Sequence, residues 1–168
     1  MRGRAWKFGD DINTDTIAPG LYMKSPIEEL ATHCLEAVDE SFASNVSPGD
    51  IVVAGRNFGA GSSREQAAQI LALLGVGAVV AKSFGGIFYR NAFNLGLMAV
   101  VSPDTDRICR GDDLELDPES GRLRDLTTGE DLRCETVPPH LVAIVRDGGL
   151  VPHLERTLTT STTSRSGR

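Results

Sequence analysis

The chain has 168 residues, of which 40% are hydrophobic and 24% charged, so it is long enough for one compact domain with a substantial core. A formal net charge of −6 and a pI near 5.0, with no cluster of Lys and Arg, argue against a nucleic-acid partner. No apolar run approaches the roughly 18 residues of a membrane span and no signal peptide opens the chain, so we expect a soluble, cytoplasmic protein without a membrane partner.

Regular structure is predicted to begin with a short strand at residues 6–8. Asp, Asn, Thr, Pro and Gly dominate residues 9–20, which is typical of turns. Ser25 as N-cap, Pro26 at the first helical position and two acidic residues after them predict a helix over about 26–32.

The middle of the chain alternates apolar strands with short helices. The run at 50–54 is β-branched and nearly continuous, as in a strand buried on both faces. The pattern predicts further strands at 78–81 and 97–101 and helices at 65–74 and 87–95. A β-α-β-α-β order favours a parallel sheet with helices packed against it, so the predicted fold class is α/β.

The last third of the chain has a different pattern. Alternation at 113–117 and glycines at 121 and 129 predict a β-hairpin region. A short helix is expected over about 139–147 and another helical turn within 150–158. Residues 159–168 contain only Thr, Ser, Arg and Gly, so they have no large apolar side chain to bury. We therefore predict a domain of residues 1–158 followed by a disordered tail.

The glycine-rich segment 55–65 joins the first buried strand to the following helix. Backbone N–H groups and the positive end of a helix dipole attract an anion at such a junction. Ser62 and Ser63 add hydroxyls, either of which could act as a general base if its pKa were lowered, and the guanidinium of Arg64 fits a carboxylate. The alternative is plain capping: one serine is the N-cap and Glu65 or Gln66 completes a capping box.

Other polar residues have equally simple alternatives. Asp11 and Asp15 could bind a divalent ion, but local turns explain them better, since no calcium-loop spacing is present. Lys24 is either an exposed cation or directed at a ligand, and Ser83 fits an N-cap of the next helix. Single histidines without metal-like spacing are interpreted as structural or surface residues: His33, His140 and His153.

The cysteines give no sign of a cofactor site in this chain. Cys34, Cys109 and Cys134 are odd in number, widely spaced and without a Cys-x-x-Cys pair. Neither a disulfide framework nor a zinc or iron-sulfur site is indicated. We expect free, mostly buried thiols.

Four ordered segments together resemble a known family. They read NTDTI at 13–17, GSSRE at 61–65, AKSF at 81–84 and IFYRN at 87–91. The combination resembles the swivel domain of the aconitase superfamily, and more closely the stand-alone small subunits of 3-isopropylmalate dehydratase and homoaconitase. It covers residues 5–155 and implies a swivelling β/β/α domain: a mostly parallel central sheet, flanking helices and a smaller β-rich region.

The resemblance also implies an activity and a partner. Members of the family are hydro-lyases that remove water from a hydroxy di- or tricarboxylate and return it in the other position. In the family a [4Fe-4S] cluster on the large subunit acts as Lewis acid. This chain would then be active only in a heterodimer or heterotetramer with that subunit, here interconverting 2- and 3-isopropylmalate in leucine biosynthesis.

Site roles follow from the same resemblance. Ser62 matches the catalytic base that removes the carbon-bound proton, Ser63 a substrate-contacting residue, and Arg64 the arginine that holds a substrate carboxylate. Asp15 matches an aspartate at the edge of the site.

The segment 20–25 matches the loop that selects the substrate's side group. Homoaconitase-like subunits tend to carry Tyr-Leu-Arg-Thr there, and isopropylmalate enzymes often place an apolar residue at the arginine position. This chain has Tyr22, Met23, Lys24 and Ser25, a departure from both, so Tyr22 and Lys24 are candidate substrate-binding residues. Homoaconitase or a related hydro-lyase therefore stays an alternative, as does a non-catalytic anion-binding module built on the segment 55–65.

Overall fold

The computed structural model describes residues 1–165, without the side chains of residues 163–165. It is an α/β fold, as the sequence predicts, built on one seven-stranded sheet. Its strands are β1 (Arg2–Lys7), β2 (Ile51–Ala54), β3 (Ala78–Ala81), β4 (Met98–Val101), β5 (Asp113–Asp117), β6 (Arg122–Asp125) and β7 (Asp131–Arg133). They are ordered β4-β3-β2-β1-β5-β6-β7 across the sheet.

Helices cover the sheet and carry its connections. They are α1 (Thr14–Ile17), α2 (Ile27–Thr32), α3 (Phe42–Asn45), α4 (Glu65–Leu73), α5 (Gly86–Asn94), α6 (Pro139–Arg146) and α7 (Leu150–Arg165), with 3-10 turns at Gly20–Tyr22 and Thr105–Arg107. No helix within residues 1–165 combines the length and apolar character needed to cross a bilayer.

The parallel half of the sheet forms the centre of the core. Strands β2, β3 and β4 run parallel to β1, with Val52 beside Val79 and Val79 beside Ala99. Every residue of β2 and β3 is buried. This explains their continuous apolar sequences, because a strand covered on both faces has no solvent-exposed side on which polar residues would lie.

The antiparallel half is an extension through β1. The first residues of β1 pair with β5, and β6 and β7 follow as a meander. In β5 the buried residues Leu114 and Leu116 alternate with solvent-facing charged ones. The predicted hairpin region is confirmed, and its period-2 pattern reflects a sheet with one open face.

One helical turn replaces part of the predicted turn region. Residues 14–17 form α1, and the Asn13 side-chain oxygen accepts a hydrogen bond from the Thr16 N–H at 2.8 Å. Ile17 is fully buried and ties this turn to the core. Asn13, which we predicted to be a turn residue, thus caps a helix. Thr14 and Asp15 therefore lie on a fixed element.

Two predicted N-caps are wrong. Helix α2 has Pro26 rather than Ser25 at its N-cap, and α5 has Gly85 rather than Ser83; neither helix has a side-chain capping bond. Ser83 Oγ instead accepts a hydrogen bond from the Asn57 N–H at 2.9 Å. The side chain at this junction therefore holds the glycine-rich segment in place.

Helix α7 is longer than the single turn expected at 150–158. It continues to Arg165, with the side chains of residues 154–162 exposed. The tail predicted to be disordered at 159–168 is helical as far as Arg165, and residues 166–168 lie outside the described residues. The domain boundary at 158 stays a prediction.

A carboxylate links the segment after β4 to strand β7 and should make the fold acid-sensitive. Asp104 accepts hydrogen bonds from the Arg133 backbone N–H at 2.9 Å and from its guanidinium at 3.1 and 3.2 Å. The guanidinium bond, with the backbone bond, lowers the pKa of Asp104 from 3.8 to about 2. Its stabilising effect is therefore complete above about pH 4 and is lost as the pH falls towards 2.

We expect Asp104→Asn to unfold at a lower urea concentration than the parent chain at neutral pH. The gap between the two midpoints should narrow as the pH falls from about 4 to 2. Glu40→Gln, at an exposed carboxylate without a polar partner in the described chain, is the matched control. A gap that does not change over this pH range would contradict the role of Asp104.

Candidate active site

The glycine-rich segment between β2 and α4 is held by backbone hydrogen bonds to two other parts of the chain. On one side Phe58 donates to the Ser83 carbonyl at 3.0 Å and its own carbonyl accepts from Gly85 at 2.9 Å. On the other, Gly59 donates to the Ile12 carbonyl at 2.7 Å. These backbone bonds give an irregular loop a single position, close to the carboxyl ends of the parallel strands, where ligands bind in open α/β sheets.

Gly59 permits the close packing beneath this loop. Its φ of +74° is left-handed, and a Cβ built there would lie 2.1 Å from Cγ of the buried Phe88. Only a residue without a side chain fits both the backbone conformation and the space. Phe88 lies in α5, so its ring fixes the distance between the loop and this helix.

The Ser62 hydroxyl is held by Thr14. The two hydroxyl oxygens lie 3.0 Å apart, and the Ser62 N–H donates to Thr14 Oγ1 at 3.2 Å. Since Thr14 Oγ1 accepts from the backbone, its own proton is free to be donated to Ser62 Oγ. A donor at that distance stabilises the deprotonated hydroxyl, the form that a base requires.

The Arg64 guanidinium is held by α1 and the turn that follows. Its Nη1 donates to Asp15 Oδ1 at 2.9 Å and to the Ala18 carbonyl at 3.1 Å, and the Gly20 N–H also donates to Asp15 Oδ1, at 3.0 Å. The bond from Arg64, with that from Gly20, lowers the pKa of Asp15. Both recorded bonds use Nη1, which leaves Nε and Nη2 for a carboxylate ligand.

The remaining predicted site residues are less constrained. Ser63 and Lys24 are exposed, and neither side chain has a polar partner within the described part of the chain. Tyr22 is half-buried and stacks on the ring of His33. The structure thus brings Ser62, Arg64 and Asp15 together and leaves Lys24 on a neighbouring exposed loop.

The capping alternative for the two serines is wrong. Arg64 occupies the N-cap of α4, and no side chain makes a capping bond there. Both serines lie before the helix, in the exposed part of the loop. The Ser62 hydroxyl is directed instead at Thr14 Oγ1, 3.0 Å away.

Residues 1–165 hold no group of three or more His, Cys, Asp or Glu side chains placed for a metal ion. Asp11 accepts a hydrogen bond from the Asn57 side chain at 3.0 Å, as a turn residue would. Of the cysteines, Cys34 is buried, Cys134 half-buried and Cys109 exposed, and burial raises the pKa of the Cys134 thiol to about 11. Within the described residues, neither the carboxylates nor the thiols are grouped as ligands of a cluster.

Thr14 is the site residue that sequence reasoning missed. Its side chain is buried and contacts Ser62, 48 positions away in the chain. Nothing in the sequence around a threonine in a turn-like run predicts a contact with a residue so far away in the chain. The usable signal was the NTDTI segment, in which Thr14 precedes Asp15.

Comparison with known proteins identifies the family. The model of the aconitase C-terminal domain matches residues 10–105, more than half of the chain. The chain belongs to the aconitase C-terminal domain family. The matched region contains α1, the glycine-rich segment and the four segments that suggested the resemblance.

Close relatives of this aconitase-family chain are small subunits. It is 51% identical to 3-isopropylmalate dehydratase small subunit 1 of Thermotoga maritima, over 93% of this chain and 95% of the relative. It is 46% identical to the methanogen homoaconitase small subunit of Methanothermobacter thermautotrophicus, over 99% and 98%. A crystal structure of 3-isopropylmalate dehydratase from Methanocaldococcus jannaschii superposes with a TM-score of 0.88 at 44% identity, covering 96% of this chain and 98% of that one.

Proposed function

We propose that this chain is the small subunit of a 3-isopropylmalate dehydratase, a hydro-lyase that interconverts 2- and 3-isopropylmalate in leucine biosynthesis. One observation carries the proposal: successive residues of α1, Thr14 and Asp15, hold the Ser62 hydroxyl and the Arg64 guanidinium. A base and a carboxylate clamp are thereby fixed on one exposed loop. Relatives at 45–51% identity with this name support the choice of substrate.

In this proposal Ser62 handles the proton and Arg64 the carboxylate. Arg64 binds one carboxylate of the substrate through its unused N–H groups, and Ser63 offers a second contact. Ser62 Oγ takes the proton from the adjacent carbon while Thr14 donates to the developing oxygen charge. The electron pair of the broken C–H bond forms the double bond as the hydroxyl leaves.

The cluster implied by the family does not fit this chain, whose described cysteines and carboxylates form no shared site. We infer that a large subunit holds it and supplies Lewis-acid chemistry, in a cytoplasmic heterodimer or heterotetramer. The chain alone should then be inactive. Mixing it with a cluster-bearing large subunit should give isopropylmalate isomerisation, and no activity with any such subunit would contradict the proposal.

Homoaconitase is the second candidate, because Lys24 keeps a positive charge on the loop at 20–25 and one relative carries that name. An ammonium lacks the planar fork with which arginine matches a carboxylate. An exposed lysine can also direct its amine to solvent and present its alkyl stem to an isopropyl group. Isopropylmalate is therefore our first choice.

Substitutions at Lys24 should move substrate preference. We expect Lys24→Val to raise the ratio of kcat/KM for isopropylmalate over homoaconitate about tenfold, because the cation that favours the extra carboxylate is removed. Lys24→Arg should move the ratio the other way. Both are measured with a substrate panel on the reconstituted enzyme.

Arg122→Met is the matched control, since it removes an exposed cation from β6, in the antiparallel half of the sheet. It should leave the ratio unchanged. A preference of the parent enzyme for homoaconitate would favour the second candidate. If the parent enzyme, Lys24→Val and Lys24→Arg all show the same ratio of kcat/KM values, Lys24 does not determine specificity.

A further inference from the structure

The loop of residues 20–25, the selector loop, has few hydrogen bonds to the rest of the chain, although Tyr22 and Met23 pack against the core. Two of its bonds are internal, from Met23 to the Gly20 carbonyl and from Ser25 to the Tyr22 carbonyl. Leu21 is 84% exposed, and Lys24 is also exposed. At its first residue the loop is attached through the Gly20–Asp15 hydrogen bond.

A ring stack attaches the loop at its centre. The Tyr22 ring lies parallel to the His33 imidazole, with centroids 3.5 Å apart and an angle of 5° between the planes. His33 follows the last residue of α2, and its Nδ1 donates to Glu36 Oε2 at 2.6 Å. The imidazole is therefore fixed on its own element, and the tyrosine lies on a surface that does not turn with the loop.

We propose that His33 is a positioning residue for substrate recognition, acting through Tyr22. The stack holds the selector loop against α2 in the orientation that presents Lys24. Glu36 holds the imidazole in the plane that matches Tyr22. Half-buried Met23 adds an apolar contact with the core, but its flexible side chain sets no orientation.

The same stack acts on the carboxylate clamp. Gly20 begins the selector loop and donates to the carboxylate that holds Arg64. A Cβ built on Gly20 would lie only 3.1 Å from Asp15 Oδ1 and 3.6 Å from Arg64 Nη2. Movement of the loop would therefore disturb both ends of the substrate-binding surface, a consequence that rests on the proposed function.

Trypsin measures the attachment of the loop without any assumption about function. Between Lys7 and Arg56 the only cleavage site is Lys24, inside the selector loop. Cleavage there requires the loop to open, so its rate follows the open population. We expect His33→Ala to speed Lys24 cleavage about tenfold in the isolated chain.

Four further variants make this test specific. His33→Phe keeps an aromatic face and should return the rate to within about twofold of the parent chain. Tyr22→Leu should match His33→Ala, and the double variant should be no faster than either. His140→Ala, at an exposed histidine of α6, is the matched control and should have no effect. An unchanged rate in His33→Ala, or equal acceleration at Arg56, which would indicate opening of the whole fold, would overturn the proposal.

The reconstituted enzyme then tests the link to the substrate. His33→Ala should raise KM about tenfold with kcat within about twofold, and His33→Phe should restore KM. If cleavage changes as expected while KM does not, His33 positions the loop but not the substrate, and the proposal fails at this second step. If the parent enzyme has no isomerase activity at all, the proposed function fails while the cleavage result still stands.

Discussion

Replacing Ser62 with alanine should lower kcat of the reconstituted dehydratase by about a thousandfold. In the proposed function the variant loses the atom that receives the proton, and general-base catalysis of this kind contributes roughly 10²–10⁴ in rate. KM should change little, because Arg64 and Asp15 keep their contacts. The measurement is steady-state kinetics with isopropylmalate, together with gel filtration to show that the two subunits still assemble.

Ser63→Ala is the matched comparison, since the two serines are adjacent and both exposed. It should affect mainly KM, by about tenfold, as expected for loss of one hydrogen bond to a charged ligand. A larger loss of kcat in Ser63→Ala than in Ser62→Ala would transfer the role of base to Ser63. Retained turnover in Ser62→Ala would remove Ser62 from that role, and retained turnover in both variants would remove both serines.

Replacing Gly59 with alanine should destabilise the fold by about 3 kcal/mol or more. A left-handed backbone costs a residue with a side chain about 1 kcal/mol or more, and overpacking a core costs about 1–3 kcal/mol. Both costs apply here, because the new Cβ would meet the buried ring of Phe88. Urea denaturation followed by circular dichroism gives the free energy of unfolding.

Gly86→Ala, in the helix α5 that carries Phe88, is the matched control, because neither problem arises there. Its φ is not positive and no atom lies within 4 Å of the Cβ position, so the change should be neutral or stabilising by up to about 1 kcal/mol. A loss of less than about 1 kcal/mol in Gly59→Ala would mean that the loop shifts to accommodate the methyl group. In that case kcat should fall, since Ser62 would move with the loop.

The parallel strands could be predicted from the sequence because strands buried on both faces consist almost entirely of apolar residues. Strand β3 was predicted at 78–81 and is Ala78–Ala81, and helix α4 was predicted one residue too long. Helix α1 could not be predicted in this way, since Asn13 and Thr14 fit a turn as well as a capped helix. Only the packing of Ile17 decides between them.

The candidate site was predictable as a set of residue types but not as a set of contacts. Ser62 and Arg64 stand out by their place after glycines at a strand-to-helix junction. Their partners Thr14 and Asp15 are 48 and 49 positions away, so the two hydrogen bonds depend on how α1 packs against the loop. The capping interpretation failed for the same reason, because Ser62 pairs with the distant Thr14 and Arg64 occupies the N-cap of α4.

The pairing of Arg64 with Asp15 and the Ala18 carbonyl has a consequence for how such enzymes diverge. An arginine side chain loses about 2 kcal/mol of rotamer entropy when it is ordered. Here folding orders it before any ligand arrives, so in the proposed function its grip on the shared substrate carboxylate would be preorganised and independent of the substrate's side group. A lineage could therefore change the loop at 20–25 and acquire a new substrate without rebuilding the clamp. The same scaffold would then serve two biosynthetic pathways through a few exposed positions.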